Sequence, residues 1–307
     1  MGNAAVGRFA PSPSGRMHLG NVLCALLAWL SARKQGGRYL LRIEDLDEMR
    51  CPRSFAGLIL DDLRWLGLDW DGEVPYQSER TALYERYEAV LREIGLLYPC
   101  FCSRAALHAA SAPHLSDGRV VYAGTCRDLT PDEAAEKKKV RAPATRLRVP
   151  DEEIVFTDGV FGAYRENLAR ECGDFIIRRS DGVFAYQLAV VVDDALSGVT
   201  EVVRGSDLLS STPRQIWLHR LLGFTPPDYI HIPLLCGHDG RRLSKRDEDL
   251  DLGLLRERFS PERIVGALAC AAGLTDRPEP VPARELIGGF SWDRVPRHDL
   301  LLPDIFQ

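Results

Sequence analysis

The stretch that decides the fold of this 307-residue chain spans residues 8–21 and reads Arg8-Phe9-Ala10-Pro11-Ser12-Pro13-Ser14-Gly15-Arg16-Met17-His18-Leu19-Gly20-Asn21. The short apolar run over 6–10 predicts a strand, and Pro11 and Pro13 prevent that strand from pairing any further. The small residues that follow predict a turn into a strongly apolar helix. Because free backbone N–H groups and the helix dipole both face such a turn, we expect an anion site there.

Strands and helices alternate in the pattern that follows this stretch. Apolar residues at helical spacing over 23–30 predict a helix with one buried stripe. The alternation indicates an α/β fold with a Rossmann-like, doubly wound parallel sheet. Further strands are predicted over 39–43, 174–178, 183–192, 199–204 and 230–235, and helices are predicted to begin near Pro52, Ser78, Ser211 or Thr212, and Ser260.

The regular alternation is lost between residues 98 and 170, where cysteines, prolines and charges accumulate. We interpret this segment as an insertion between two halves of a catalytic domain, residues 1–97 and 171–240. Residues 241–307 then hold a basic loop and a small helical subdomain.

The composition is that of an ordinary soluble globular protein, with 45% hydrophobic and 27% charged residues. A net charge of −5 neither requires nor excludes a nucleic-acid partner. We see no secretory signal and no apolar run of the ~20 residues that a membrane span requires. Eight cysteines without such a signal argue against a disulfide framework. We therefore expect a reducing, cytoplasmic environment, and separately we expect a monomer.

Two blocks that lie far apart in the chain carry chemistry suited to a nucleotide. His18, at the predicted helix N-terminus, has an imidazole that can donate hydrogen bonds to phosphate oxygens as charge builds during attack on an α-phosphate. Residues 241–246 form a basic loop, in which Lys245 can neutralise triphosphate charge. Taken alone, a single histidine is more often structural, and a basic loop is more often merely solvated.

Together the two blocks resemble the HIGH and KMSKS signatures of class I aminoacyl-tRNA synthetases of the glutamyl type. Asn21 departs from the HIGH pattern, where histidine is frequent, and keeps a hydrogen-bonding group there without the charge. The resemblance implies that His18 and Lys245 are catalytic and that ATP is a substrate, bound with Mg²⁺. It also implies the following ATP-binding residues: His18, Gly20, Asn21, Arg242, Leu243, Ser244, Lys245 and Arg246.

The sequence also contains the charged residues that a pocket for an amino acid requires. Glutamate carries one ammonium and two carboxylate groups, so a fitting pocket needs one anion and two cations. Glu44, Arg8 and Arg204 match that count, and each lies near the end of a predicted strand, where open α/β sheets bind ligands. Isolated residues of this kind more often form ion pairs at a sheet edge. The resemblance implies this set of glutamate-binding residues: Arg8, Phe9, Ala10, Pro11, Ser12, Glu44, Tyr186 and Arg204.

The cysteine cluster suggests a metal. Two cysteines one residue apart, with a third about 24 residues further on, suit one tetrahedral Zn²⁺. Three cysteines leave one ligand open, for which His108 or His114 is a generic candidate. The alternative is a set of three buried free cysteines. The resemblance implies a different fourth ligand, and thus one structural zinc ion per chain held by Cys100, Cys102, Tyr122 and Cys126.

The run Lys137-Lys138-Lys139 and the arginines that follow it leave two interpretations open. A charge run is usually a solvated face. The alternative is contact with the phosphates of an RNA.

A more specific resemblance follows from the length of the chain. The blocks match the catalytic core of glutamyl-tRNA synthetases over about residues 7–275, and about 60 residues follow Lys245. A separate anticodon-binding domain would need on the order of 100 residues or more. A chain with this core and this cysteine pattern resembles the glutamyl-queuosine tRNA(Asp) synthetases. That family implies activation of L-glutamate by ATP without tRNA, then transfer of the glutamyl group to the queuosine base in the anticodon of tRNA(Asp).

Three other functions are compatible with parts of the pattern. The first is a discrete catalytic unit that charges the 3′ end of a tRNA. The second is a non-catalytic RNA-binding paralogue, against which the intact His18, Lys245 and Glu44 argue. The third is a general nucleotidyltransferase, which the glutamate-type charges disfavour.

Overall fold

Strands and helices alternate along the chain in a computed structural model that describes residues 4–103, 121–237 and 251–306. The strands are β1 (Val6–Phe9), β2 (Arg38–Leu41), β3 (Leu97–Cys100), β4 (Ala144–Leu147), β5 (Glu153–Asp158), β6 (Gly162–Asn167), β7 (Phe175–Arg178), β8 (Glu201–Gly205), β9 (Asp228–Ile232), β10 (Leu235–Cys236) and β11 (Leu300–Leu301). The helices are α1 (Leu19–Lys34), α2 (Arg53–Trp65), α3 (Thr81–Glu93), α4 (Pro131–Val140), α5 (Leu168–Glu171), α6 (Tyr186–Leu196), α7 (Thr212–Leu221), α8 (Leu252–Arg258), α9 (Pro261–Ala271) and α10 (Ala283–Leu286). Short 3-10 turns occupy Gln77–Arg80, Ser206–Ser211, Trp292–Arg294 and Asp304–Phe306.

Two parallel strand pairs form the centre of the molecule. β1 pairs with β2, and β8 pairs with β9. β8 lies beside β1, and the N–H of Thr200 donates to the carbonyl of Val6 at 2.9 Å. The strands therefore lie in the order β2-β1-β8-β9 with their carboxyl ends at one edge. The predicted α/β fold with parallel strands is confirmed.

Helix α1 is the central helix of the larger hydrophobic core. One side of α1 packs on β1, β2 and β8, and the other is covered by the C-terminal segment, where the indole N–H of Trp292 donates to Ser31 Oγ at 3.1 Å. The prediction of a single buried stripe was therefore wrong, because the helix is enclosed from both sides. The buried positions are Leu19, Val22, Leu23, Ala25, Leu26, Leu27, Ala28, Trp29, Leu30, Ser31 and Ala32.

The prediction of a strand over 183–192 was also wrong, because α6 occupies most of that segment. Three consecutive valines favour a strand locally. All side chains over 188–194 are buried, so the helix has no polar face to reveal its period. Asp193 in α6 accepts hydrogen bonds from Gln77, Arg80 and Tyr84 at 2.7–2.8 Å, which tie α6 to the start of α3.

Ser78 does not begin a helix as the sequence predicts. Its backbone N–H and its hydroxyl both donate to the carboxylate of Asp45, at 2.9 and 2.8 Å. Helix α3 begins three residues later, at Thr81. The serine therefore holds the loop that follows β2 and that carries Glu44.

The segment interpreted as an insertion has antiparallel strands. β4 pairs with β3 on one side and with β7 on the other, and β5 forms a hairpin with β6. This hairpin joins the parallel strands, since the N–H of Gly159 donates to the carbonyl of Tyr229 in β9 at 2.9 Å. The domain limits at residues 97, 170 and 240 stay a prediction.

The described part of the C-terminal region contains α8, α9 and α10, followed by the short strand β11, which pairs in parallel with β10. None of the helices in the described ranges has the length and apolar character needed to cross a membrane.

The central position of α1 makes its side chains important for stability. We expect Leu27→Ala, at a position with 0% exposure, to lower the free energy of unfolding by about 2–5 kcal/mol through lost burial and a cavity. Leu301→Ala is the matched control, because that leucine is 59% exposed and the same truncation should cost much less. Denaturant unfolding of both variants measures the difference, and equal losses would contradict the central role of α1.

Candidate active site

A cavity of about 460 Å³ opens at the carboxyl ends of the parallel strands. In sheets of this kind, ligands bind at that edge. The walls include every glutamate-site and ATP-site residue that was predicted within the described ranges, namely Arg8, Phe9, Ala10, Pro11, Ser12, His18, Gly20, Asn21, Glu44, Tyr186 and Arg204. The other predicted ATP-site residues, Arg242, Leu243, Ser244, Lys245 and Arg246, lie outside the described residues.

His18 caps the N-terminus of α1 at the cavity wall. Its Nδ1 accepts the N–H of Gly20 at 3.1 Å, and the side-chain oxygen of Asn21 accepts the N–H of His18 at 3.3 Å. Because Nδ1 is an acceptor, the neutral ring carries its hydrogen on Nε2. A Cβ at Gly20 would come within 3.0 Å of the imidazole, so the glycine gives the ring its space. Asn21 thus completes a capping box, a role that its position in the motif did not reveal.

Arg8 and Glu44 are linked through two buried residues that the sequence analysis missed. Asp194 in α6 accepts from Arg8 Nε at 3.4 Å and from Arg42 Nη1 at 2.6 Å. Arg42 also donates through Nη2 to Glu44 at 3.0 Å. The sequence gives one indication of this network, namely a charged residue within an apolar run. Arg42 lies between Leu41 and Ile43.

The two carboxylates of this network are shifted in opposite directions. Burial raises the pKa of Glu44 above its ordinary value, and Arg42 opposes that shift. Burial also disfavours the charge on Asp194, but Arg42 and Arg8 outweigh it and hold the pKa of Asp194 below its ordinary value. The carboxylate of Asp194 is therefore stabilised in its charged form, and it orients the two guanidinium groups.

Arg204, at the other side of the cavity, is held by four side chains. Its Nη1 donates to Gln215 Oε1 at 2.7 Å and to Tyr186 Oη at 3.3 Å. Its Nη2 donates to Thr212 Oγ1 at 2.7 Å, and its Nε donates to His231 Nε2 at 3.0 Å. Arg204 and Tyr186, both predicted to bind glutamate, are thus in direct contact. The other three side chains that hold Arg204 were not identified from the sequence.

The turn before α1 is also tied to the C-terminal region. Arg16 makes a bidentate contact with Asp62 in α2, with its shortest distance at 2.7 Å, and Arg256 in α8 binds the same carboxylate at 2.7 Å. The N–H of Leu252 donates to the carbonyl of Met17 at 3.0 Å. The chain that follows residues 238–250 therefore returns beside the turn that carries His18.

A second cluster brings together the three cysteines predicted as metal ligands. The sulfur atoms of Cys100, Cys102 and Cys126 lie within 4.8 Å of one another, and those of Cys102 and Cys126 are 3.7 Å apart. The hydroxyl of Tyr122 lies 3.7 Å from Cys100 Sγ and accepts the N–H of Cys126 at 2.8 Å. The guanidinium of Arg146 lies 3.6 Å above the ring of Tyr122. His108 and His114 lie outside the described residues.

The environment of Cys100 favours a thiolate. Burial alone would raise its pKa, but hydrogen bonds from Arg146 and from the N–H of Cys102 lower the pKa below the ordinary value. Gly173 allows the backbone of Tyr122 to pack directly against it. The φ of Gly173 is +70°, and a Cβ at this position would lie 2.3 Å from the carbonyl oxygen of Tyr122.

The basic run forms the C-terminal half of α4, which has no buried residue. Lys139 pairs with Glu136 at 2.5 Å on this exposed surface. The proposed contact with RNA phosphates stays a prediction.

Comparison with known proteins places this fold and cavity in a class of enzymes. Residues 5–276 match the family described as tRNA synthetases class I (E and Q), catalytic domain. This match covers most of the chain, and the chain belongs to that family.

The relatives make the resemblance more specific. The chain is 53% identical to the glutamyl-Q tRNA(Asp) synthetase of Symbiobacterium thermophilum, over 97% of this chain and 95% of that protein. It is 48% identical to the glutamyl-Q tRNA(Asp) synthetase of Nitratidesulfovibrio vulgaris, with the same coverage. The resemblance predicted from the sequence is confirmed.

Solved structures agree with this assignment. A glutamate tRNA ligase from Elizabethkingia meningosepticum, crystallised in complex with its amino acid, superposes with a TM-score of 0.84 at 26% identity. The match covers 99% of this chain and 68% of that chain. Glutamate-tRNA synthetase from Elizabethkingia anophelis gives a TM-score of 0.85 at the same identity, over 99% and 69% of the two chains.

Asp194 should be essential for the stability of the site. We expect Asp194→Asn to lower the free energy of unfolding by about 3–5 kcal/mol, because Arg8 would remain buried without its anion and Arg42 would lose its shortest ion pair. Asp181→Asn is the matched control, since Asp181 pairs with Arg179 at a half-exposed position and should cost less than about 1 kcal/mol. Denaturant unfolding tests both variants, and similar small losses would show that Asp194 does not hold the network.

Proposed function

We propose that this chain activates L-glutamate with ATP and transfers the glutamyl group to the queuosine base in the anticodon of tRNA(Asp). The observation that carries the proposal is that one cavity brings together Arg8, Arg204 and Glu44, the charges that glutamate requires, with the His18-capped N-terminus of α1. The name of the close relatives supports the choice of tRNA. The cytoplasmic location and the monomeric state stay predictions.

Glutamate binding follows from the donors and acceptors at the cavity wall. Glu44 is the anion for the substrate ammonium. Among the described residues, no hydrogen bond engages Nη2 of Arg8, whose other nitrogens bind Asp194 and the carbonyl of Val203. Arg8 therefore has a donor available for one substrate carboxylate, while the other lies against the hydroxyl of Tyr186 and the positive charge of Arg204.

The first chemical step is attack of the glutamate α-carboxylate on the α-phosphorus of ATP, which releases pyrophosphate and forms glutamyl-AMP. The Nε2–H of His18 and the N-terminus of α1 stabilise the charge that grows on the phosphate. Lys245 neutralises charge on the leaving pyrophosphate, and Mg²⁺ accompanies the ATP.

The second step is attack of a hydroxyl of the queuosine cyclopentene ring on the carbonyl of glutamyl-AMP. The new ester bond replaces the bond to AMP, and the hydroxyl proton is lost to water. The acyl phosphate is already activated, so the step needs no dedicated base.

Amino-acid activation is the first test. Without tRNA, the protein should catalyse exchange of labelled pyrophosphate into ATP with glutamate but not with glutamine. Arg204→Gln should raise KM for glutamate by about 30-fold or more, since it removes a buried cation worth about 2 kcal/mol or more to a carboxylate. Arg220→Gln, an exposed arginine in α7, should behave as wild type.

The acceptor is tested by transfer of labelled glutamate. We expect transfer to tRNA(Asp) that contains queuosine and none to queuosine-free tRNA(Asp). Transfer to tRNA(Glu) would instead support acylation of a 3′ end, which the structural similarity to glutamate tRNA ligases keeps as the second candidate. Binding of tRNA without any exchange would point to a non-catalytic RNA-binding protein.

We also propose one structural zinc ion held by Cys100, Cys102, Cys126 and Tyr122. In a tetrahedral site with Zn–S bonds of about 2.3 Å, neighbouring sulfur ligands lie about 3.8 Å apart. The distance of 3.7 Å between the sulfur atoms of Cys102 and Cys126 is close to that value, and the Tyr122 hydroxyl lies 3.7 Å from the sulfur of Cys100. Burial and the neighbouring Cys100 raise the pKa of Tyr122 above its ordinary value, so the phenolate that such a ligand requires would form only together with the metal.

The metal site can be tested by zinc content and chelator competition. Wild type should contain one zinc per chain and Cys126→Ser none. Tyr122→Phe should bind zinc about tenfold or more weakly, because it loses a ligand atom. Tyr164→Phe is the matched control, since that hydroxyl bonds Glu166 in β6. Unchanged zinc affinity in Tyr122→Phe would exclude tyrosine as the fourth ligand.

A further inference from the structure

We propose that Asp158 and His231 are positioning residues that fix the direction of every hydrogen bond around Arg204, so that Tyr186 presents its O–H to the substrate. This inference rests on the proposed function and specifies how the site selects a carboxylate. A relay of hydrogen bonds runs from Asp158 to His231, from His231 to Arg204, and from Arg204 to Tyr186.

Asp158, at the end of β5, is surrounded by donors. Its Oδ1 accepts the N–H groups of Val160 and Phe161 at 3.0 and 2.9 Å. Its Oδ2 accepts the backbone N–H of His231 at 3.0 Å and lies 2.6 Å from His231 Nδ1. Burial disfavours its charge, but these donors hold the pKa of Asp158 below its ordinary value. An ionised carboxylate only accepts, so His231 Nδ1 carries the hydrogen.

His231 is fully enclosed and neutral. Burial lowers its pKa, as does the charge of Arg204, while Asp158 opposes the shift. With the hydrogen on Nδ1, Nε2 has a lone pair, and it accepts Nε–H of Arg204 at 3.0 Å. The other neutral tautomer would place two N–H groups face to face. The carboxylate of Asp158 therefore makes His231 an acceptor for the arginine.

All five N–H bonds of Arg204 then have protein acceptors. Nε donates to His231, and Nη1 donates to Gln215 and Tyr186. Nη2 donates to Thr212 and to the carbonyl of Leu208, the latter at 3.5 Å. The guanidinium is thus fixed in one plane, and the oxygen of Tyr186 is used as an acceptor.

The orientation of the Gln215 side-chain amide agrees with these hydrogen-bond directions. Its Nε2 donates to Gln187 Oε1 at 2.9 Å, so its oxygen must face Arg204. Gln187 in turn donates from its own Nε2 to the hydroxyl of Ser211 at 3.2 Å. The donors and acceptors on both sides of Arg204 are therefore consistent with a single arrangement.

The relay determines what Tyr186 offers to a ligand. Because its oxygen accepts from Arg204, its O–H donates in another direction, and Tyr186 lines the cavity. The Tyr186–Arg204 pair is thus a positively charged donor surface. A carboxylate is attracted by the charge of Arg204 as well as by the O–H of Tyr186, whereas the neutral carboxamide of glutamine can use only the O–H. The relay thus selects glutamate over glutamine.

Asp158→Asn tests the relay, because the amide can donate to His231 Nδ1 and move the ring hydrogen to Nε2, against Arg204. We expect KM for glutamate in pyrophosphate exchange to rise by about tenfold or more, KM for ATP to stay unchanged, and the preference for glutamate over glutamine to fall. His231→Gln retains an acceptor for Arg204 and should lie between wild type and Asp158→Asn. His219→Gln is the matched control, since His219 is also buried and, within the described ranges, forms no hydrogen bond with Asp158, His231, Arg204 or Tyr186.

A spectroscopic measurement separates this inference from the proposed function. In ¹⁵N NMR of the wild type, the His231 ring should show a protonated Nδ1 and an unprotonated Nε2, whether or not the protein activates glutamate. Asp158→Asn should exchange the two signals. Wild-type exchange activity with an unchanged glutamate KM in folded Asp158→Asn would overturn the relay alone. An Nε2-protonated His231 in the wild type would overturn it even if Asp158→Asn did not fold.

Discussion

The carboxylate of Asp194 between two buried arginines is the interaction on which this structure depends. A buried charge is tolerated only when it is paired, so Arg8, Arg42 and Asp194 must all be present in the same place. Arg8 belongs to β1, Arg42 follows β2 directly, and Asp194 belongs to α6. Pairing these three charges therefore fixes two strand ends and a helix relative to one another, and it places the wall of the cavity.

Both candidate glutamate-binding arginines, on opposite sides of the cavity, are oriented by a buried aspartate. Asp194 binds Arg8 directly, at 3.4 Å, whereas Asp158 acts on Arg204 through His231. Orientation that is complete before the substrate arrives does not have to be supplied by binding energy. The polar network is thus part of the proposed function, although most of its members do not face the ligand.

Local pattern accounts for much of what could be predicted. The turn between β1 and α1 and the parallel strands follow from proline, glycine and apolar runs, and the resemblance supplied a set of residues that line one cavity. The strand expected over 183–192 failed because a fully buried helix lacks a periodic polar face. Asp158 and His231 were missed because they meet across 73 positions of sequence, and no local signal records such a contact.

The position of Asp158 limits which segments of this protein can be removed or exchanged. The residue lies in the segment interpreted as an insertion, on a hairpin that is hydrogen-bonded to β9. Removing residues 98–170 would thus also take away the group that sets the tautomer of a core histidine. The hairpin is therefore not independent of the parallel strands, and a chimera with a relative would have to carry the hairpin and β9 from the same parent.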